Sequence, residues 1–416
     1  MAQSITNQLF QTKFDLVRDQ FPALKEKVFL DAACVSLAPR RATEAIQEFM
    51  NVALLCPEPS STLHHIAMDE MRAEARPQVA RLINAREDEI ALMESTTHGL
   101  SVAAEYLPLE RGDRVILCDL EFLQVAVPWC QKQKLSGIEI DVVPNRNGEI
   151  HIQDIADCIG PETRAIAISS VQWSNGFRCD LKALSSLCRD RKVWLIVDAI
   201  QHLGAMPIDV SDTPIDMLAC GGHKWLNSPF GAGFLYINRD LMPELRAPLA
   251  GYLSLETPSG GWGNYFQTPS IIPVRDYSFV NEARRFETGG TANYPGAIGL
   301  AASLKLINDI GPAIIAERIY QLTDHLIVGL QALEIEIVTP VKHEYRSGIV
   351  TFSIGTAEDN VALMERLLDQ NVLVSVRYTS QVGGVRVSSH FYNDIADLDR
   401  LLNVVEIYLR NRQKGS

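Results

Sequence analysis

Short apolar runs alternate with amphipathic stretches between residues 80 and 240 of the chain. The runs are only a few residues long and rich in β-branched side chains, a composition typical of strands buried on both faces of a sheet. The stretches between them, such as DLKALSSLCRDR, have the spacing of helices. Strands that alternate with helices predict a parallel sheet covered on both faces, hence an α/β domain. The predicted strands are EIALM (89–93), RVILCDL (114–120), IEIDVVP (138–144), RAIAISSV (164–171), VWLIVDA (193–199), DMLACG (216–221) and GFLYIN (233–238).

The pattern changes beyond residue 240. The segment GYLSLETPSGGWGNYFQTPSIIP (251–273) is rich in glycine, proline, serine and aromatic residues. It predicts a long loop, and such loops are usually functional or lie at an interface. Two helical patterns, several strand-like runs and a closing amphipathic helix, DIADLDRLLNVVEIYLRNR (394–412), follow it. We interpret residues from 291 onward as a smaller α+β domain. Its strand-like runs are GIVTFSI (348–354), VLVSV (372–376) and GVRVSS (384–389).

The charge balance limits the classes of partner. The formal net charge is -13, from 38 basic and 51 acidic residues among 416. This balance argues against nucleic acid or an anionic membrane surface as a partner. No uncharged apolar stretch has the roughly 20 residues that a membrane-spanning helix needs. The first residues also lack the basic and apolar regions of a secretion signal, and we expect a cytoplasmic protein.

The eight cysteines are scattered along the chain. They form no C-x-x-C pair and no cluster with histidines at the spacing of a zinc site. We therefore expect reduced, mostly buried thiols and no bound metal ion.

Asp198 and Lys224 are the first candidates for chemistry. Asp198 ends the apolar run VWLIVD, where a buried carboxylate is costly unless a cation or a strong donor meets it. Lys224 follows the next predicted strand, in CGGHKWLNSP. Taken singly, Asp198 could be a helix N-cap and Lys224 a solvated surface residue. Taken together, at neighbouring strand ends of one sheet, they predict a pyridoxal phosphate site, with a lysine for the aldehyde and an aspartate for the pyridinium nitrogen.

The stretch MESTTHGL offers a place for the phosphate of such a cofactor. Ser95, Thr96 and Thr97 lie between the run EIALM and a helical pattern that begins near His98. Free backbone N–H groups and the helix dipole favour an anion at that position. A plain helix cap is the alternative interpretation of these hydroxyls.

Four motifs in one order carry a family resemblance: STTHG, VDAIQ, GGHKW and FETGGTANYPG. With them, the chain resembles the class V aminotransferase family of fold-type-I pyridoxal phosphate enzymes, which includes cysteine desulfurases and isopenicillin N epimerase-like enzymes. The resemblance extends from VFLDAACVSLAPRR (28–41) to GGVRVSSHFYN (383–393). It implies a large domain with a mostly parallel seven-stranded sheet and a smaller α+β C-terminal domain. The implied divisions are an N-terminal arm packed on the small domain (1–25), a large cofactor-binding domain (26–290) and a small domain (291–416).

The resemblance also implies a role for each residue of the cofactor site. Lys224 would carry the cofactor and later move the proton at the substrate α-carbon. Asp198 would keep the ring nitrogen protonated, and Gln201 would reach the phenolic oxygen of the ring. The phosphate would be held by Thr96, Thr97 and His223.

Two further positions concern the subunit partner and the substrate. Thr291, in FETGGTANYPG, matches a position that reaches the phosphate from the other subunit, so the resemblance implies a homodimer with shared active sites. Arg386 matches the clamp for the substrate carboxylate, a bidentate role that suits a guanidinium. A structural salt bridge is the alternative for Arg386. The role of Arg377 stays open.

The sequence departs from the desulfurases of this family at three places. Phe122 stands where they carry a histidine over the cofactor ring; it can stack there but cannot exchange protons. Trp173 replaces an asparagine near the phenolic oxygen. No cysteine occurs between residues 340 and 390, where the desulfurases carry the thiol that takes the sulfur. We therefore do not expect a desulfurase that forms a persulfide, whereas a lyase of this family that releases sulfur without a thiolate stays open.

We therefore expect an enzyme that acts at the α-carbon of an amino acid, most simply an aminotransferase. The alternatives are a cysteine or selenocysteine C–S lyase or desulfurase-like enzyme and an amino-acid epimerase like the isopenicillin N epimerases. A non-catalytic pyridoxal phosphate sensor is a more remote alternative. Such sensors usually carry an added DNA-binding domain, and no basic helix-turn-helix extension precedes residue 20.

Overall fold

A seven-stranded sheet forms the centre of the protein. The computed structural model describes residues 14–245 and 251–415. The strands of the chain are β1 (Val28–Phe29), β2 (Ile90–Met93), β3 (Arg114–Cys118), β4 (Glu139–Val143), β5 (Thr163–Ser169), β6 (Trp194–Asp198), β7 (Met217–Gly221), β8 (Gly233–Ile237), β9 (Glu336–Ile337), β10 (Ile349–Ser353), β11 (Val372–Leu373), β12 (Ser375–Thr379) and β13 (Val382–Ser388). The large sheet has the order β2-β8-β7-β6-β5-β3-β4; β3 to β7 run parallel to one another, whereas β8 is antiparallel to both β7 and β2. This confirms the predicted α/β fold with a mostly parallel seven-stranded sheet.

Alternate residues of each strand enter two separate cores. In β6, Leu195 and Val197 pack into the core on one face of the sheet, and Ile196 packs into the core on the other. Because both faces are covered, six of the seven strands are mainly buried and apolar, whereas β4 (EIDVV), at the edge of the sheet, exposes Glu139 and Val142. The sequence pattern located all seven strands. The helices are Arg40–Leu55, Ser61–Ala73, Ala75–Ile83, Thr96–Tyr106, Leu123–Ser136, Ile152–Cys158, Leu181–Arg191, Gly261–Phe266, Tyr294–Ile310, Pro312–Ala332, Ala357–Asp369 and Ile395–Gly415.

A second, antiparallel sheet lies in the C-terminal part of the chain. Its order is β12-β13-β10-β9, and it shares a core with the last three helices. The strands β12 and β13 form a hairpin whose turn is Ser380–Gln381, with φ angles of 45° and 65°. This two-residue turn with left-handed backbone gives a tight connection. The hydroxyl of Ser380 donates a hydrogen bond to the carbonyl oxygen of Asp119 (2.7 Å), which ties the hairpin to the large sheet.

The N-terminal residues contact the C-terminal part. Arg18 forms an ion pair with Asp397 (2.8 Å), and the ring of Phe21 lies 4.7 Å from that of Tyr392. Residues 1–13 of the predicted arm lie outside the described residues. The helix that follows residue 291 packs on the first three helices of the chain. The predicted domain boundaries stay a prediction.

The cysteines are less buried than expected. Four are buried (Cys118, Cys179, Cys188 and Cys220), Cys158 is half-buried, and the other three are exposed. All eight are free thiols.

One helix pair has the apolar length of a membrane span. No single helix in residues 14–245 and 251–415 is long and apolar enough to cross a membrane. The helices Tyr294–Ile310 and Pro312–Ala332 reach that length and composition only when taken together, and a bend of 78° separates them.

The lysine turn depends on a close backbone approach at Gly204. Its φ is +96°, and a Cβ there would stand 2.0 Å from the carbonyl oxygen of Trp225. We expect Gly204→Ala to lower the free energy of unfolding by about 3 kcal/mol, from strained backbone plus overpacking. Thermal and urea unfolding midpoints, together with cofactor retention, measure the effect.

Gly112→Ala is the matched control. Gly112 has a similar φ of +88°, but a Cβ there would meet nothing within 4 Å. Only the backbone strain of about 1 kcal/mol applies to it. If both variants lower the free energy of unfolding equally, the close contact with Trp225 adds nothing to the cost of the Gly204 substitution.

Candidate active site

Three strand ends meet at one edge of the large sheet. Gly233, at the start of β8, pairs with Met93 at the end of β2 and with Gly221 at the end of β7. The residues that follow these two strands are therefore neighbours. The N–H of Gly221 donates a hydrogen bond to Oγ1 of Thr96 (2.8 Å), which joins the threonine turn to the lysine turn.

A cavity of about 270 Å³ lies at this edge. It brings together seven of the nine predicted site residues, although the role of each stays a prediction. The seven are Thr96, Thr97, Phe122, Asp198, His223, Lys224 and Arg386.

Lys224 is the amine in this cavity. Burial and then the positive charge of Arg386 lower its pKa to about 8, against the opposing effects of Asp198 and Cys34. Neutral amine is therefore present near pH 7 to 8. A lysine in this state can attack a carbonyl carbon and can accept a proton.

Asp198 is the acid of the pair. It is 3% exposed, and its carboxylate accepts a hydrogen bond from the N–H of Ile200 (2.9 Å). Burial raises its pKa to about 6, against the opposing effects of that N–H and of Lys224. Asp198 is thus a carboxylate near neutral pH and a fitting partner for a protonated ring nitrogen.

The helix Thr96–Tyr106 turns its N-terminus toward the cavity. Ser95 is its N-cap and accepts a hydrogen bond from the N–H of His98 (3.1 Å). His223 lies on the opposite turn, stacked on Phe230 at 5.0 Å. Burial, then the charge of Lys224, lowers the pKa of His223 to about 4, so the ring is neutral. Hydroxyls, backbone N–H groups and a neutral imidazole are groups that can bind an anion, so the predicted phosphate site at this turn stays a prediction.

An aromatic wall covers one side of the cavity. The ring centroid of Phe122 lies 5.7 Å from Nζ of Lys224 and 5.1 Å from the ring of Trp173. The indole N–H of Trp173 is buried and has no hydrogen-bond partner. The two rings form a surface on which a flat heterocycle can stack.

Arg386 is deeply buried, at 1% exposure. Its guanidinium donates to the carbonyl oxygen of Trp173 (2.9 Å) and to Oδ1 of Asp31 (3.1 Å). Its Nε–H has no partner. The structure thus contains the salt bridge of the alternative interpretation while leaving a donor free beside the cavity. Arg377 also lines the cavity and donates to the backbone oxygen of Val376 (2.8 Å).

Two predicted residues do not line the cavity. Gln201 lies in a turn, since no helix follows β6. Its amide nitrogen donates to the carbonyl oxygen of Ala33 (2.9 Å), and its amide oxygen accepts from the indole of Trp225 (2.8 Å). Thr291 is exposed on the surface of this chain. The contacts predicted for it require a second subunit and stay a prediction.

Sequence reasoning did not single out two residues at the site. Cys34 lines the cavity from the segment DAACVSLAP. Glu121 lies behind Phe122, where its carboxylate accepts hydrogen bonds from the N–H of Ser169 (2.9 Å) and from Gln172 (3.0 Å). Burial raises the pKa of Glu121 to about 7. The only signal in the sequence for either residue is that Cys34 lies in VFLDAACVSLAPRR (28–41), where the family resemblance begins.

This fold and this site define a pyridoxal phosphate enzyme of fold type I. The family model described as "Aminotransferase class-V" matches residues 28–401, and the chain belongs to this family. The predicted family and cofactor are thereby confirmed. The aminotransferase activity itself is not.

Relatives and solved structures of the same length support the assignment. A probable cysteine desulfurase of Pyrococcus abyssi is 28% identical, over 94% of this chain and 96% of its own. The apo structure of a cysteine desulfurase from Thermococcus onnurineus NA1 superposes with a TM-score of 0.82 at 25% identity, over 95% and 98% of the two chains. The cystine C–S lyase C-DES, in complex with its product cysteine persulfide, shares the fold, with a TM-score of 0.81 and 23% identity over 92% and 98%.

The side chains present fit pyridoxal phosphate. The donor set offers an amine for the aldehyde (Lys224), a carboxylate for the ring nitrogen (Asp198), an aromatic face for the ring (Phe122) and a helix N-terminus for the phosphate. All of these groups line one cavity.

The lowered pKa of Lys224 generates a prediction about loading. In cofactor-free protein, the rate of covalent bond formation with pyridoxal phosphate should rise with pH up to about 8 and then level, because only the neutral amine attacks. Absorbance spectroscopy after mixing measures this rate. Lys224→Arg should give no covalent complex.

Asp198→Asn provides a control of similar size. Because the carboxylate raises the pKa of Lys224, its removal should shift the pH dependence of the loading rate to lower pH. A wild-type rate that keeps rising to about pH 10.4, the ordinary pKa of lysine, would contradict the described environment of the amine.

Proposed function

We propose that the protein removes sulfur from L-cysteine or a closely related sulfur amino acid by breaking its Cβ–S bond. The observation that carries this proposal is a small cavity that combines an amine of lowered pKa, Lys224, with the unpaired, buried Nε–H of Arg386. The names of the relatives, cysteine desulfurases among them, support this choice over transamination. The predicted aminotransferase activity remains the second candidate, because the family chemistry allows it.

Lys224 and Asp198 would perform the first steps. Bound pyridoxal phosphate supplies a ring that accepts the electrons released at the substrate α-carbon. Lys224 would hold the cofactor, and its neutral amine would accept the proton from that carbon. Its pKa of about 8 suits this exchange near neutral pH. Asp198, a buried carboxylate, would hold the ring nitrogen in its protonated form.

Arg386 and the aromatic wall would orient the substrate. A guanidinium binds a carboxylate in a bidentate manner, and burial strengthens the contact. The ion pair with Asp31 holds the guanidinium in place. Phe122 and Trp173 also line the cavity, and their apolar rings would keep water from the reacting atoms.

The products distinguish the candidate reactions. We expect sulfide or a thiol-bound sulfur from L-cysteine without any keto-acid acceptor, with alanine or pyruvate as the carbon product. Lys224→Ala should lower the turnover rate by at least about 100-fold. Arg386→Lys should raise KM about tenfold, because the charge remains but the bidentate geometry is lost.

Chromatography of the amino and keto acids, with a sulfide assay in parallel, measures these products. Formation of 3-mercaptopyruvate only when a keto acid is supplied would establish the aminotransferase instead.

We also propose a homodimer with shared active sites, in which Thr291 of each chain reaches the phosphate bound by the other. Apolar side chains exposed on the helix Arg40–Leu55 and on residues 252–279 support this, since a single chain leaves Leu54 at 80% and Val274 at 88% exposure. A cytoplasmic location remains part of the proposal.

Light scattering should give the mass of two chains at micromolar concentration. Ile272→Glu should weaken the dimer and lower cofactor affinity. Val328→Glu, at an equally exposed position of 65% on the helix Pro312–Ala332, should change neither. A wild-type mass of one chain would refute the shared site.

A further inference from the structure

Cys34 places a thiol in the same cavity as Lys224. It occupies a turn that follows β1, and its N–H donates to the carbonyl oxygen of Asp31 (3.0 Å). The side chain is exposed and lines the cavity. Nη2 of Arg377 lies 3.7 Å from its sulfur, within hydrogen-bond range for that atom.

The turn that carries Cys34 is fixed to the lysine segment. The carbonyl oxygen of Ala33 accepts from Gln201, which in turn accepts from Trp225, the neighbour of Lys224. On the other side, the N–H of Ser36 donates to the carbonyl oxygen of His223 (2.9 Å). The N–H of Ala33 also donates to the hydroxyl of Ser388 (3.1 Å). Cys34 is therefore held toward the reacting groups by bonds on both sides of it.

A second observation indicates a ligand beside this thiol. Arg386 is 1% exposed, lines the same cavity and keeps an unpaired Nε–H. An anionic group in the cavity would satisfy this donor. With its carboxylate on Arg386, a small amino acid would extend its side chain into a space that Cys34 also borders.

No other cysteine can serve this cavity. All eight lie within the described residues, and only Cys34 lines it. Burial raises the pKa of the Cys118, Cys179 and Cys220 thiols, and Cys56 and Cys130 are exposed elsewhere. The hairpin β12–β13 has a two-residue turn without cysteine, tied to Asp119 by Ser380. A mobile loop that could deliver a thiol is absent from that hairpin.

We infer that Cys34 is the catalytic thiol that accepts the sulfur of the substrate, an inference that rests on the proposed cysteine substrate. Its thiolate, the nucleophilic form of a cysteine, attacks the substrate sulfur. A sulfur–sulfur bond forms, and the Cβ–S bond breaks with its electron pair left on carbon. The β-carbon then gains one proton, which balances the proton that the Cys34 thiol loses. The sum is L-cysteine plus the Cys34 thiol giving L-alanine plus a Cys34 persulfide, in which carbon is reduced and the two sulfurs are oxidised.

The test combines a mass measurement with product analysis. The pyridoxal phosphate-loaded protein is mixed with L-cysteine without reductant, alkylated and digested. We expect an added mass of about 32 Da, one sulfur, on the peptide that carries Cys34. Cys34→Ser should lose this mass and form alanine at least tenfold more slowly, while its cofactor absorbance stays that of wild type. Cys130→Ser, at an exposed site outside the cavity, is the matched control and should keep the added mass on Cys34 and the wild-type rate of alanine formation.

The possible outcomes separate the two proposals. If Cys34→Ser releases sulfur as fast as wild type and no persulfide forms on Cys34, the inference is wrong and the proposed function stands. If the products are pyruvate, ammonia and sulfide, the inference about Cys34 is likewise wrong and the proposed function stands, because an elimination needs no accepting thiol. If wild type releases no sulfur from L-cysteine and Cys34 gains no mass, both are wrong. Should Cys34→Ser lose the cofactor, the mass on Cys34 in the wild-type protein decides the question alone.

Discussion

A buried acid and a buried amine at neighbouring strand ends are the constraint on which the rest of the site depends. Asp198 and Lys224 are both removed from water, and burial moves their pKa values toward each other, to about 6 and about 8. Such a pair is costly to a folded protein unless each charge finds a partner. The cost is consistent with a function, because a cofactor ring between the two groups would satisfy the acid and use the amine.

The surrounding structure serves to hold this pair in place. Gly221 and Gly233 bring the strands close enough for Thr96 to bond the lysine turn. Gly204 allows the carbonyl group of Trp225, the residue after Lys224, to lie against its own backbone. Asp31 forms an ion pair with Arg386, and the guanidinium of Arg386 contributes to the lowered pKa of the amine. Glu121 contributes a second buried carboxylate near Asp198. Rigid contacts, rather than a mobile loop, thus shape the cavity.

The sheet and the central pair could be predicted from the sequence, whereas several contacts could not. Six of the seven strands were predictable because they are mainly buried and apolar, and the edge strand β4 was predictable from its β-branched residues Ile140, Val142 and Val143. Gln201 lies in a turn, where its amide is hydrogen-bonded to Ala33 and Trp225, two contacts that the motif VDAIQ does not predict. Cys34 meets Arg377 across 343 positions of sequence, a contact that no local pattern records. The short helix Gly261–Phe266 also lies inside a segment that predicts only loop.

The most direct test of this account is the position of the covalent bond to the cofactor. The protein loaded with pyridoxal phosphate is reduced with borohydride, digested and sequenced by mass spectrometry. The account predicts the pyridoxyl group on Lys224, in the peptide that contains CGGHKW. A pyridoxyl group on another lysine, or none after full loading, would contradict it.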